Sequence, residues 1–301
     1  MKQRRFGLIG HPIAHSLSPA LFKAGFDGRH PYDLIETADF EEAYRRFLEG
    51  YDGINVTAPF KELAYSKADI LSEECKVIGA TNLLVKTPEG IKAYNSDYLG
   101  VQLCLQEMLL SLSVDMPGKK RTPPTSWAPP PAARGVARFS PPGISPDTTD
   151  SEKADKESDN HLKALIIGLG GAGKAAAAAA ESLGMEVVRM NRTIKDDDTR
   201  PLSDFRECFR EADIIIYNIP GAIPQLQELT EEDLTPGRQK AILEANYKDP
   251  SFTEDMIKGM TGINPLIRYT GGRKWLLYQA LTGYEIFTGE KPDLQKMTDV
   301  L

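Results

Sequence analysis

Two parts of the chain alternate short apolar runs with longer amphipathic stretches. In the first part, strands are predicted near residues 6–9, 32–35, 54–56, 83–86 and 91–95. Helices are predicted between them, beginning at Ser18 and Pro19, near residue 40, near Lys61 and at Asp97. Proline directly after a capping residue is typical of a helix start. Strands that alternate with helices in this way favour an α/β architecture on a mostly parallel sheet.

The second part shows the same alternation with a glycine-rich turn at its start. A short aliphatic strand, KALII, is followed by GLGGAGK, an alanine-rich helix and a second strand at residues 186–190. Further strands are predicted at 214–217 and 241–244, and an amphipathic helix at about 274–288. Strand, glycine turn, helix and strand in this order indicate the start of a Rossmann nucleotide-binding fold.

The composition changes abruptly between the two parts. Nine of the chain's 21 prolines lie in residues 117–161, which end in the polar tract DTTDSEKADKESDN. Such a segment has too little apolar surface to offset the entropy of ordering it, which predicts disorder; an ordered, docked loop is the alternative. We therefore predict an N-terminal α/β domain at 1–112, a disordered insert at 113–161, a Rossmann domain at 162–264 and a C-terminal helical segment at 265–301.

Charge and cysteine content narrow the function classes. With 301 residues and a net charge of -7, the chain lacks the basic surface that nonspecific binding to nucleic acid or acidic lipid needs. Its three cysteines are far apart, and its four histidines show no metal-ligand spacing. No apolar stretch is long enough for a signal peptide or a membrane span. These features predict a cytoplasmic protein that binds small molecules, with monomer and homodimer both left open.

The glycine turn is the first candidate functional motif. Gly168, Gly170 and Gly173 form G-x-G-x-x-G between a strand and a helix, with Gly171 and Ala172 inside the turn. This placement lets the backbone approach a pyrophosphate closely and points the helix N-terminus at it. The alternative is a turn that needs glycine only for packing the helix on the sheet.

The residues after the second strand of this unit bear on the choice of dinucleotide. NAD-binding units usually have an acid there, which accepts hydrogen bonds from the ribose 2'-hydroxyl. This chain has Asn191, Arg192 and Thr193, with Lys195 nearby and no acid before Asp196. Guanidinium and hydroxyl donors suit a 2'-phosphate, which an acid would repel. NADP is therefore the predicted cofactor; a solvated charged loop is the alternative.

Polar residues of the first part cluster where predicted strands end. Ligands of open α/β sheets bind at such strand ends. Taken singly, each of these residues also suits a helix cap, a turn or an exposed first helical turn. The residues are Ser16, Ser18, Asn55, Thr57, Lys61, Asn82, Asn95 and Asp97.

Taken together, these segments resemble the shikimate dehydrogenase family. Seven segments occur in the order and approximate spacing of that family: GHPIAHSLSP, NVTAPFKE, GATN, NSDYLG, GLGGAGKAA, NRT and WLLYQALTGYEIFTG. The resemblance covers residues 6–289 apart from the proline-rich insert. It implies an N-terminal substrate domain, to which the C-terminal segment returns, a Rossmann-like NADP domain, and an active site in the cleft between the two.

The resemblance also implies roles for individual side chains. Lys61 and Asp97 match the family's catalytic pair. A lysine ammonium can stabilise and protonate the alkoxide that develops as a ketone is reduced, and a neighbouring carboxylate positions it. The implied substrate-binding residues are Ser16 and Ser18 for a carboxylate, Asn82 and Thr57 for ring hydroxyls, Gln279 from the last helix, and Tyr247.

Three segments depart from the family's pattern near the expected nicotinamide site. Residues 218–221 read NIPG where the family commonly has N-A-T-S. Glu244 begins a segment similar to D-x-x-Y-x-P, in which Pro250 comes one residue late. Residues 271–275 read GGRKW in place of a D-G-x-x-M run. The substrate-side constellation is complete in spite of these changes.

The activity that the resemblance implies is NADPH-dependent reduction of 3-dehydroshikimate to shikimate, on the route to chorismate and the aromatic amino acids. Two alternatives stay open. One is a relative that acts on quinate or an amino analogue, which would share nearly all these motifs. The other is a catalytically idle relative that binds ligand without turnover.

Overall fold

The described part of the molecule contains two six-stranded sheets. The computed structural model describes residues 3–114, 161–194 and 196–301. The predicted insert at 113–161 lies outside these residues apart from its ends, as does Lys195. The disorder expected there therefore stays a prediction.

The first sheet is mixed. Its strands are Phe6–Gly10 (β1), Tyr32–Glu36 (β2), Gly53–Val56 (β3), Ile70–Leu71 (β4), Leu83–Thr87 (β5) and Gly90–Tyr94 (β6). They lie in the order β2-β1-β3-β5-β6-β4, and β5 runs antiparallel to both β3 and β6. The turn between β5 and β6 is too short for a crossover, so these two strands form a hairpin. The expected parallel pairing holds for β1 with β2 and β3, and for β4 with β6.

Five helices accompany this sheet. They are Ser18–Gly25 (α1), Phe40–Gly50 (α2), Lys61–Ser66 (α3), Glu73–Ile78 (α4) and Ser96–Val114 (α5). The carboxylate of Asp39 caps α2 by accepting hydrogen bonds from two backbone N–H groups of its first turn. Helices α3 and α5 place Lys61 and Asp97 in first helical turns, which face the same edge of the sheet.

The second sheet is entirely parallel. Its strands are Lys163–Ile167 (β7), Glu186–Asn191 (β8), Thr199–Pro201 (β9), Ile214–Tyr217 (β10), Lys240–Glu244 (β11) and Ile267–Thr270 (β12). The order β12-β11-β10-β7-β8-β9 is the strand order of a Rossmann fold. The central strand β10 is buried throughout, as an apolar run covered on both faces should be.

The described residues of this second part form seven α-helices. They are Gly171–Ser182 (α6), Phe205–Glu211 (α7), Pro224–Gln227 (α8), Glu231–Leu234 (α9), Glu254–Ile263 (α10), Gly272–Thr288 (α11) and Leu294–Thr298 (α12). Within the described ranges, no helix is both long enough and apolar enough to cross a lipid bilayer.

Strand β12 corrects the predicted start of the C-terminal segment. We expected residues 265–301 to be a helical segment outside the Rossmann domain, but β12 pairs in parallel with β11 and completes the second sheet. Only Ile267 of this four-residue edge strand is buried, so its sequence carries no alternation strong enough to predict it. The helical return begins at α11.

Helix α11 packs against the first half of the molecule. It crosses α5 so closely that a Cβ atom on Gly100 would lie 2.6 Å from the backbone nitrogen of Gln279. Further along the helix, Tyr284 packs in one core with Phe6 and Phe22. Helix α5 in turn shares a core with the buried alanines of α6. These contacts hold both sheets around a common cleft.

Candidate active site

A cleft of about 410 Å³ is lined by residues of both halves. All eight predicted substrate-binding and catalytic side chains line it: Ser16, Ser18, Thr57, Lys61, Asn82, Asp97, Tyr247 and Gln279. Strands β1 and β3 are parallel and end at one edge, which brings the segments after them together. Because β5 runs the other way, Asn82 at its start lies at this same edge, where its carbonyl accepts from Val56 N at 2.8 Å.

Lys61 and Asp97 form an ion pair in this cleft. The distance from Lys61 Nζ to Asp97 Oδ2 is 2.5 Å, and the side chains are 19% and 13% exposed. Trp275 Nε1 donates to the backbone carbonyl of Asp97 at 3.0 Å, which fixes the start of α5. The first turn of a helix also favours a carboxylate. One of the three ammonium donors is used by Asp97, so Lys61 retains donors for a ligand.

The two serines of HSLSP lie side by side. Ser16 Oγ donates to Ser18 Oγ at 3.1 Å and accepts from the backbone N of Ser18 at 3.2 Å. Ser18 is held in turn by the hydroxyl of Tyr284, which donates to its carbonyl at 3.0 Å. The position that caps α1 is occupied by Leu17, which has no side-chain cap. A pair of fixed hydroxyls facing the cleft suits a carboxylate ligand.

Asn82 and Asn95 turn out to have different roles. Asn82 is buried and donates to Ser96 Oγ at 3.0 Å and Gln279 Oε1 at 3.4 Å, within the wall of the cleft. Asn95 Oδ1 instead accepts from the backbone N of Tyr98 at 3.1 Å and so caps α5. The capping explanation therefore holds for Asn95, which is not among the residues that line the cleft.

The glycine turn lies directly beside the Lys61–Asp97 ion pair. Gly168 has φ +87, and a Cβ atom on Gly173 would lie 1.8 Å from the carbonyl oxygen of Gly168. A Cβ atom on Gly171 would lie 3.1 Å from Lys61 Cδ. A Cβ atom on Gly170 would meet no protein atom within 4 Å, and no side chain caps α6 there. Packing alone therefore explains Gly173 and does not explain Gly170.

The segment after β8 is tied to this turn. Asn191 Oδ1 accepts from the backbone N of Leu169 at 3.5 Å, and its Nδ2 donates to the Thr193 carbonyl at 3.0 Å. Arg192 and Thr193 are exposed. The carboxylate of Asp196 accepts from Thr199 Oγ1 at 2.5 Å. Of the predicted cofactor-binding residues, only Ala172 reaches the cleft itself; the rest lie along the adjoining edge of the second sheet.

Two of the altered segments form bonded loops. Tyr217 OH donates to the Gly221 carbonyl at 2.8 Å and accepts from Ile223 N at 3.0 Å, which closes the loop after β10. Glu244 is fully buried and accepts from the backbone N of Ser251 at 2.5 Å and from Tyr269 OH at 2.7 Å. Burial and this bond to Glu244 raise the pKa of Tyr269 well above its usual value. The loop anchored by Glu244 carries Tyr247 into the cleft.

Among the residues that line the cleft, sequence reasoning assigned no site role to three with polar or aromatic side chains, namely His15, Lys248 and Trp275. His15 stands next to a predicted site residue, and so does Lys248, but neither adjacency alone distinguishes a lining residue from a solvated one. Trp275 was noted only as part of a departure from the family's pattern. Its position depends on how α11 crosses α5, which a linear motif does not encode.

The arrangement of the described His, Cys, Asp and Glu side chains bears on metal-ligand and reactive-thiol chemistry. Among residues 3–114, 161–194 and 196–301, no group of three or more His, Cys, Asp or Glu side chains is arranged to hold a metal ion. Burial raises the pKa of Cys75 and of Cys104 to about 12, so neither thiol is a nucleophile near neutral pH.

Comparison with known proteins shows which proteins this chain resembles. Residues 8–84 match the shikimate dehydrogenase substrate binding domain, and residues 146–243 match the NAD binding domain of D-isomer specific 2-hydroxyacid dehydrogenase. The whole chain is 26% identical over 326 residues to shikimate dehydrogenase (NADP(+)) of Helicobacter pylori strain P12, and covers 98% of it. The chain is therefore similar to shikimate dehydrogenases along its whole length, and its residues 8–84 match their substrate binding domain. The resemblance predicted from the motifs is thereby confirmed.

Solved structures share the fold of both halves. One is shikimate 5-dehydrogenase from Thermus thermophilus in complex with NADP(H) and shikimate, with a TM-score of 0.67 and 23% identity, covering 99% of this chain and 98% of that one. Another is quinate dehydrogenase from Corynebacterium glutamicum in complex with NAD, with a TM-score of 0.69 and 18% identity, at the same coverage. The predicted fold class, an N-terminal α/β domain with a Rossmann-like domain, is confirmed.

Proposed function

We propose that this protein is an NADP-dependent shikimate dehydrogenase that interconverts 3-dehydroshikimate and shikimate. The observation that carries the proposal is the Lys61–Asp97 ion pair, which lies in a cleft together with two fixed serine hydroxyls and directly beside the glycine turn. The activity for which the Helicobacter pylori relative is named supports it, since the chain matches that relative over nearly its whole length.

The glycine turn fits a dinucleotide. Gly170 leaves open space at the uncapped start of α6, where a backbone N–H can meet a pyrophosphate. Arg192 and Thr193 would hold the 2'-phosphate, with no carboxylate paired to Arg192 among the described residues and with Asp196 bonded to Thr199. When bound, the cofactor supplies or accepts the hydride.

The chain's own residues supply the proton. As the ketone carbon gains a hydride, its oxygen develops negative charge, and Lys61 Nζ both stabilises that charge and donates a proton to it. Asp97 keeps the ammonium oriented through the 2.5 Å bond. In the reverse direction neutral Lys61 accepts the hydroxyl proton. Lysine regains or releases its proton through solvent at the open end of the cleft.

Substrate orientation falls to the neutral polar groups. We assign the substrate carboxylate to Ser16 and Ser18, and the ring hydroxyls to Thr57, Asn82 and Gln279. Asn82 is held by Ser96 and Gln279, so its amide is fixed before a ligand arrives. Positioning of this kind places the reacting carbon against Lys61 without reorganisation of the wall.

The same proposal includes a cellular setting. We propose that the protein acts in the cytoplasm, as a monomer or homodimer, on small molecules and not on nucleic acid. Support comes from the net charge of -7 and from the buried free thiols of Cys75 and Cys104, which suit a reducing compartment.

The experiment is a steady-state assay of the purified protein with shikimate or quinate and with NADP⁺ or NAD⁺. We expect the highest kcat/KM for shikimate with NADP⁺. A higher kcat/KM for quinate would identify the protein as a quinate-type relative. This is the principal alternative function, because the fold is also similar to that of quinate dehydrogenase. Tight shikimate binding without formation of reduced cofactor would instead identify a catalytically idle relative.

A further inference from the structure

Lys248 brings an unbalanced positive charge to the cleft. The lysines and arginines among the lining residues are Lys61 and Lys248. Lys61 is paired with Asp97, so these two charges cancel locally. Lys248 makes no ion pair with a carboxylate of the described residues, and its Nζ lies 5.9 Å from the centre of the Tyr247 ring. The cleft therefore offers one lysine cation that is available to an anionic ligand.

The loop that carries Lys248 is anchored by a buried carboxylate. This loop follows β11 and is anchored by the buried carboxylate of Glu244, which accepts from the backbone N atoms of Ser251 and Phe252 and from Tyr269 OH. A loop fixed at both ends keeps the Lys248 backbone at the rim, while its flexible four-carbon stem lets the ammonium reach inward.

We propose that Lys248 recognises the carboxylate of the substrate and determines the preference of the enzyme for acids over uncharged analogues. This inference rests on the proposed shikimate dehydrogenase function. Ser16 and Ser18 are neutral donors, and burying a carboxylate is costly unless it meets a cation or strong hydrogen bonds. A hydrogen bond with one charged partner is already roughly twice as strong as a neutral one, and a lysine ammonium adds the attraction of a full opposite charge. Lys61 cannot serve here, because it is already bonded to Asp97 and is needed at the reacting carbon.

The alternative ligand for this cation is a phosphate of the cofactor. Lys248 belongs to the second half of the molecule, whose strand ends also bear the glycine turn. The two ligands differ in how a variant would behave: loss of a carboxylate contact raises KM for shikimate, whereas loss of a phosphate contact raises KM for NADP⁺.

The test compares shikimate with its methyl ester, which keeps the ring hydroxyls and removes the charge. The unmutated protein, Lys248→Met, Lys248→Arg and the control Lys258→Met are assayed with both compounds at saturating NADP⁺. Lys258 is an exposed lysine of α10 outside the cleft, paired with Glu254 at 3.7 Å. Lys248→Met should raise KM for shikimate about tenfold, as loss of one charged contact predicts. Its KM for the ester should change less than about twofold, since uncharged contacts remain.

Further outcomes separate the role of Lys248 from the proposed shikimate dehydrogenase function. A charge contact at this position is supported if Lys248→Arg retains most of the preference for the acid. The control Lys258→Met should leave KM for both compounds unchanged. An equal rise in KM for acid and ester, a rise confined to NADP⁺, or no change overturns the role of Lys248. These results leave the proposed function standing as long as the unmutated protein oxidises shikimate. If the unmutated protein neither binds nor oxidises shikimate, the proposed function fails, and the inference fails with it.

Discussion

One edge of the first sheet and one edge of the second sheet meet at the cleft. The first edge presents to the cleft side chains that are hydrogen-bonded to one another, whereas the second presents mainly backbone groups. On the first edge, Lys61 is bonded to Asp97, and Asn82 to Ser96. On the second, Gly170 faces open space, and Arg192 is exposed. This difference indicates that the first edge is preorganised for chemistry, whereas the second is shaped to receive a large ligand that completes it.

The largest expected effect comes from the side chain at the centre of the first edge. Lys61→Ala should lower kcat by about 10²-fold or more, because the lost group acts on charge that develops in the transition state. Binding of NADPH, measured by fluorescence titration, should change little. A variant that keeps more than about a third of the unmutated kcat would refute the role of Lys61, since general acid catalysis contributes far more than this.

A smaller effect is expected from the exposed cation of the second edge. Arg192→Ala should cost roughly 1.5–3 kcal/mol in NADPH binding, which corresponds to about a tenfold to 10²-fold rise in KM. NADH, which lacks the 2'-phosphate, should be nearly unaffected. Equal losses with both cofactors would mean that Arg192 supports the fold and does not discriminate between them. Steady-state KM values for each cofactor provide the measurement.

Gly170 tests whether the second edge works through its backbone. Gly170→Ala adds a methyl group where no protein atom lies within 4 Å, so Tm should be preserved. We expect KM for NADPH to rise roughly tenfold, the order of one lost backbone–phosphate hydrogen bond. The matched control is Gly259→Ala in α10, where a Cβ atom is also free of contacts and no ligand is expected. An unchanged KM in Gly170→Ala would contradict a close approach of the cofactor to the backbone at this position.

The smallest effect on turnover is expected from removing a buried charge that lies outside the cleft and stabilises the second half of the molecule. Asp233 is buried between Arg206 and Arg210, with distances of 2.8 and 2.9 Å. Burial alone would raise the pKa of Asp233, but hydrogen bonds from the Thr230 backbone, Arg210, the Thr230 hydroxyl and Arg206 outweigh it and hold the pKa well below its ordinary value. The stabilisation is therefore present above the ordinary carboxyl pKa and is lost as pH falls through the lowered one.

Asp233→Asn should accordingly lower the free energy of unfolding by about 2–3 kcal/mol near neutral pH, the order seen when a buried ionic contact is broken. The difference from the unmutated protein should shrink at acid pH, and kcat should stay unchanged. Denaturant unfolding at several pH values measures this, with Glu254→Gln at an exposed ion pair as control. A loss of stability that did not depend on pH would contradict the ionic explanation.

The comparison of the two edges also explains what could be predicted from the sequence. Residues in contiguous motifs after strand ends, such as Lys61 and Ser18, could be placed because the strand itself determines where the next residues lie. The roles of Asn95 and Asn82 could not be distinguished, because both are asparagines beside predicted strand ends. Only their hydrogen-bond partners in the structure show that Asn95 caps a helix and that Asn82 belongs to the wall of the cleft. Lys248 and Trp275 reach the cleft through loop anchoring and helix crossing, which depend on contacts distant in sequence.

Strands, too, could be predicted where the signal is local in sequence and not where it depends on distant contacts. The buried strand β10 has a continuous apolar run, which predicts it without knowledge of its neighbours. The two-residue strand β4 and the edge strand β12 are defined by partners: β4 by pairing with β6, and β12 by pairing with β11. Elements that exist because a neighbour offers backbone hydrogen bonds leave only a weak trace in their own sequence.

The central claim is that the cleft brings a hydride donor and a ketone together beside Lys61. Its most direct test is to incubate the protein with 3-dehydroshikimate and NADPH deuterated at both C4 positions, and to analyse the product by mass spectrometry and NMR. We predict shikimate that carries a single deuterium on the ring carbon that bore the ketone, formed by the unmutated protein and strongly reduced in Lys61→Ala. Deuterium at another position, or no labelled shikimate although the protein binds both compounds, would contradict the account.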